Sequence, residues 1–105
     1  MAAFSKSKHR LSFGYIYLIS NQIAEVVVDN GIDLTLNMAE EYDQFLSDNL
    51  YSPFAVLINR INFYTISFEA QLVIGSITGL TAIAVVKYDA KTENVVNNLL
   101  ENRKL

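Results

Sequence analysis

The residues best equipped for chemistry fall in one stretch, Asn59-Arg60-Ile61-Asn62-Phe63-Tyr64-Thr65, and in Lys87-Tyr88 further on. Together they offer two cations, two amides and two phenols. A guanidinium presents a permanently charged, planar fork of donors that matches a carboxylate or a phosphate. Arg60, with Asn59, Asn62, Tyr64 and Lys87 around it, is therefore the candidate ligand-binding group, suited to an anionic or amphipathic, lipid-like molecule. A second reading is also open, in which Asn59 and Asn62 satisfy loop carbonyls and Arg60 pairs with a carboxylate of the preceding helix. Thr65 and Ser67 stand where a hydroxyl accepts from the free amides of a helix's first turn, and a phosphate placed there would meet the same amides. Both are candidates for a helix cap or for phosphorylation.

Other chemistries find little support. The chain has no cysteine, which removes disulfides, thiolate metal sites and cysteine nucleophiles. Its one histidine, His9, lies in the expected tail, so a Ser/His/Asp arrangement would need that tail to fold back. The glycines are scattered at 14, 31, 75 and 79 and form no phosphate loop. Glu40, Glu41, Asp43 and Asp48 recur on what reads as the wet face of a helix, without a histidine beside them. The expectation is a non-catalytic protein that needs neither cofactor nor metal. A formal net charge of −3 argues against nucleic acid as a partner, because phosphate neutralisation needs clustered cations. Lys6, Lys8 and Arg10 form one basic cluster, which reads as part of a flexible, solvated tail over residues 1–10, with a phosphate or headgroup contact as the alternative.

The elements that must position Arg60 come from periodicity. Phe13, Tyr15, Tyr17 and Ile19 alternate with Gly14, Ile16 and Leu18, so residues 11–19 form a strand apolar on both faces. Residues 20–22 turn, and residues 23–29 form a second strand around Val26-Val27-Val28. Asp29-Asn30-Gly31 has the composition of a tight hairpin turn, which predicts a short return strand over 32–34. A helix starts near Thr35 or Asn37 and buries Met38, Tyr42, Phe45 and Leu46 at helical spacing. Tyr51-Ser52-Pro53 stops it. Apolar strands follow at 54–58 and 82–86, and the right-handed crossover between parallel strands predicts a helix over 67–79. Val95, Val96, Leu99 and Leu100 give a last amphipathic helix over 92–103. The uncharged run 70–86 reaches the length of a membrane span, but Gln71, Ser76, Thr78, Thr81 and two glycines break its hydrophobicity, so no span is expected. Nor does an apolar leader core follow the basic cluster, and a cytoplasmic setting is expected.

With 105 residues the chain suits one domain, an α/β fold over 11–105 with a mixed sheet of about four strands and two to three helices packed on it. The order of elements, carried by Val26-Val27-Val28-Asp29-Asn30-Gly31, Phe54-Ala55-Val56-Leu57-Ile58-Asn59-Arg60 and Ala82-Ile83-Ala84-Val85-Val86, resembles the STAS domain, in particular the SpoIIAA-like subgroup of anti-sigma factor antagonists. The match covers roughly residues 15–100. It implies a regulatory module that meets a protein partner through its second helix. In the family an Asp-Ser motif at the start of that helix is phosphorylated. Ser67 occupies a similar place, with no Asp before it and no Gly after it. The apolar content of 51% further predicts a homodimer.

Overall fold

Ile16, Ala24, Val26, Val56 and Ile58 belong to three neighbouring strands, and pleating sends all five to one side of a sheet. In the computed structural model of the protein, which describes residues 6–88, that side is the floor of the core. Five strands make the sheet: β1 (Ser7–Leu11), β2 (Gly14–Ser20), β3 (Ile23–Val28), β5 (Phe54–Arg60) and β7 (Leu80–Lys87), in the order β1-β2-β3-β5-β7. The first three are antiparallel neighbours joined by tight turns, whereas β3, β5 and β7 run parallel. Parallel neighbours need long crossovers, and the helices α1 (Leu36–Asn49) and α2 (Phe68–Gly75) supply them. The described residues therefore form an α/β fold with a mixed five-stranded sheet and two helices.

The helices pack against each other and against the sheet. Helix α1 is capped by Thr35, whose hydroxyl accepts from the Met38 amide, and buries Ala39, Tyr42 and Leu46. Helix α2 is capped by Ser67 and buries Ala70 completely, with Val73 and Ile74 packed against the core. Fully buried Phe13, Ile16, Leu46 and Val56 anchor the interior, each contributing about 1.5–3 kcal/mol through removal of apolar surface from water. The opposite face of the sheet carries Tyr15, Tyr17, Val27, Leu57 and Ala84, which are only half-buried.

Three expectations change. The stretch 1–10, expected as a tail, is already in the sheet from Ser7, where β1 pairs Ser7 with Leu18 and Arg10 with Tyr15. Its cations are held from the next strand and from the turn after β3: the Lys8 ammonium lies 4.1 Å from the centre of the Tyr15 ring on β2, and the Arg10 guanidinium meets both oxygens of Asp29 at 3.1 and 2.6 Å. His9 points the other way and packs on Phe45 of α1, ring centres 5.2 Å apart.

The Asp29-Asn30-Gly31 turn is not a hairpin. The strand after it, β4 (Asp33–Leu34), pairs in parallel with β6 (Thr65–Ile66) rather than folding back on β3. Gly31 does take the positive φ of +80° that the turn signal implied, but its N–H goes to the carbonyl of Phe63 at 2.7 Å, so the turn leads the chain up to the loop after β5. Third, α2 ends at Gly75, short of residue 79, because Ser76 turns its hydroxyl back onto the carbonyl of Leu72 and the chain then reaches Gly79 at φ +90°. The helix expected over 92–103 lies outside the described residues. Among the described residues no helix is long and apolar enough to cross a membrane.

Candidate ligand cavity at the strand ends

Strand β5 runs two residues beyond the apolar segment 54–58, through Asn59 and Arg60. Alternation then separates the two. Arg60 falls on the helix-covered side with Val56 and Ile58, while Asn59 falls on the opposite face, where its amide donates to Glu25 at 2.8 Å. Lys87 is paired in register with Arg60 at the end of β7, so two cations sit side by side at the carboxyl ends of two parallel strands. In an open α/β sheet this is the end at which ligands bind.

Beneath Arg60 lies a cavity of about 200 Å³ between the two layers. Val26, Val28, Ile58, Ile83 and Val85 form its floor, Tyr42 and Ile74 come from the helices, and Leu34, Tyr64 and Ile66 close it from the β4–β6 pair and the adjoining loop. Among the described residues that line it, Arg60 alone is charged. Its guanidinium stacks over the Tyr64 ring at 4.2 Å and donates one N–H to the Tyr64 carbonyl at 3.1 Å. It pairs with no carboxylate of α1. The ion pair found among the described residues is Arg10 with Asp29.

Two phenols share the cavity wall. Burial pushes the Tyr64 phenol up, and the Arg60 guanidinium opposes this only in part. Burial pushes the Tyr42 phenol up much further, helped by the neighbouring Tyr64 and Asp43, so both are neutral at physiological pH. The Tyr42 hydroxyl has no hydrogen-bond partner among the described residues, a deficit that costs about 1–3 kcal/mol for a buried group.

The remaining candidates serve the scaffold. Asn62 donates to the Val28 carbonyl at 2.9 Å, and Asn30 accepts from the Phe63 amide at 3.1 Å, so the loop after β5 is laced to the turn after β3. Thr65 donates to Asp33 at 2.8 Å across the β4–β6 pair and does not cap α2. Ser67 does, accepting from the Ala70 amide at 3.2 Å. Of the five candidate ligand residues, the structure brings Arg60 and Tyr64 together at the cavity, sets Lys87 beside Arg60, and places Asn59 and Asn62 elsewhere. The cavity wall itself was missed by sequence reasoning. The signal lay in the apolar strand residues 26, 28, 58, 83 and 85, but it was indistinguishable from that of an ordinary core.

His9 bonds to Ser7 at 2.9 Å, and no carboxylate bonds to its ring among the described residues. Nor do these residues contain a group of His, Asp or Glu side chains placed to hold a metal ion. Outside the cavity, Ile61, Phe63, Phe68 and Leu72 are largely exposed, Phe63 at 88% and Phe68 at 69%. Fold and cavity together define the class, a two-layer α/β domain with a sheet on one side, two helices on the other and a small apolar cavity between them. No family model, curated protein or solved structure matches the chain.

Proposed function

We propose that the chain is a non-catalytic, STAS-like regulatory module that docks a protein partner through α2, in a cytoplasmic setting. The observation that carries this is the outer face of α2, where Phe68 and Leu72, one turn apart, are exposed at 69% and 59%. Two large apolar side chains at i and i+4 are the anchors by which one helix seats in another protein's groove. Phe63 and Ile61, in the loop that leads to the helix, extend the same apolar character. Such a surface disfavours solution in water and favours burial in an interface, whether with a different protein or with a second copy of the chain.

The test is the double variant Phe68→Ser, Leu72→Ser. Both side chains lie outside the core, so the fold survives, as a melting curve checks. The wild-type chain retains a defined partner from its native lysate, or sediments as a dimer at micromolar concentration, and the variant loses that association by about 10-fold or more. A monomeric wild type whose captured proteins are the same as the variant's overturns the proposal.

A further inference from the structure

We infer that the cavity beneath Arg60 is a binding site for a small apolar carboxylate, its carboxylate on the Arg60 guanidinium and its hydrocarbon body against Ile58, Ile74 and Val85. The cavity lies on the sheet side of α2, away from Phe68 and Leu72, so this site is independent of the docking surface.

Size, polarity and charge each restrict the ligand. A cavity of 150 Å³ admits benzene, so one of about 200 Å³ takes a ring or a bent chain of about eight carbons. Apart from Arg60 and the hydroxyls of Tyr42 and Tyr64 its lining side chains are hydrocarbon, too few polar groups to partner the many oxygens of a sugar or nucleotide. A neutral hydrocarbon satisfies the wall but leaves the guanidinium unanswered. Arg60 is part-buried, gives one N–H to the Tyr64 carbonyl and forms no ion pair among the described residues. A carboxylate takes two parallel N–H bonds from such a fork, and a guanidinium already held over an aromatic ring loses less freedom in giving them. Lys87, opposite Arg60 on β7, adds positive charge at the same end, and no acidic side chain lines the cavity among the described residues.

The experiment uses the full chain with octanoate, octanol and acetate as probes, followed by calorimetry and by the methyl resonances of Ile74 and Val85. Octanoate saturates at one per chain and shifts both residues, octanol binds at least about 10-fold more weakly, and acetate does not saturate. Arg60→Gln, checked for folding by circular dichroism, weakens octanoate by at least about 10-fold and leaves octanol unchanged. Ile74→Phe, which fills the cavity from α2, also abolishes octanoate binding, so the conclusion does not hang on one variant. Equal affinity for octanoate and octanol, octanoate binding that survives Arg60→Gln, or no saturable octanoate binding would overturn the inference. So would contacts from the Leu99 or Leu100 methyls to Ile74 and Val85 in the ligand-free chain, which would assign the cavity to the chain's own carboxyl-terminal segment.

Discussion

The Arg60 guanidinium sits over the Tyr64 ring, 4.2 Å from its centre, while donating to the carbonyl of the same residue. The two contacts hold a cation at the mouth of an apolar cavity, with Tyr64, only 8% exposed, as both its platform and part of the wall. A guanidinium held in this way gives one N–H to the Tyr64 carbonyl and keeps further donors, which a carboxylate needs.

Substitutions at Tyr64 separate the ring from the phenol oxygen. Tyr64→Phe keeps the ring and lowers stability by less than about 1 kcal/mol. Tyr64→Ala removes it and costs about 3 kcal/mol, because a large buried ring is lost and its space is not refilled. Urea unfolding of the two variants checks the difference. A similar loss in both would mean that the phenol oxygen, and not the ring, holds the loop.

Tyr42 gives a prediction in pH. Its phenol ionises in the folded chain only well above the ordinary value of 10.0, because burial and the nearby Tyr64 and Asp43 oppose the charge. A folded-state value above the unfolded one leaves stability flat below about pH 10 and lowers it as pH rises further, since the unfolded chain releases the proton first. Tyr42→Phe therefore flattens the alkaline fall measured by denaturant titration. At neutral pH the same variant is neutral or up to about 1 kcal/mol more stable, since a buried hydroxyl with no partner among the described residues is removed. A loss of more than about 1 kcal/mol at neutral pH would show that the hydroxyl has a partner after all.

Gly14 is required by approach rather than by a turn. A Cβ there would stand 2.1 Å from the Val27 carbonyl oxygen and 2.9 Å from the Val28 Cα, both backbone atoms that cannot step aside. Gly14→Ala is expected to cost about 3 kcal/mol by prying β2 from β3, seen as a lowered urea midpoint and as loss of hydrogen-exchange protection along both strands. An unchanged midpoint would mean that the two strands are further apart than this.

Much of the architecture was legible because its signals are local. Alternating apolar residues mark β2 and β3, the β-branched runs mark β5 and β7, Thr35 and Ser67 announce the helices they cap, and Pro53 marks where α1 must stop. β1 was not legible, because Ser7, Lys8, His9 and Arg10 are polar on both faces. Their place in the sheet rests on Tyr15 and Tyr17, which offer ring faces to the cations from the next strand.

The sequence by itself determined a cysteine-free α/β chain with cations at two strand ends, Arg60 and Lys87, and an apolar second helix with Thr65 or Ser67 as its cap. Only the tertiary structure decided what those residues face. Strand parity, set by how far β5 continues, sends Arg60 over the cavity and Asn59 to the opposite side. The pairing of β4 with β6 folds Tyr64 and Leu34 over the same space. Register and strand order depend on residues tens of positions apart meeting in space, whereas periodicity reports only on neighbours along the chain, so β2, β3, β5, β7 and the two helices could be read in advance and the cavity between them could not.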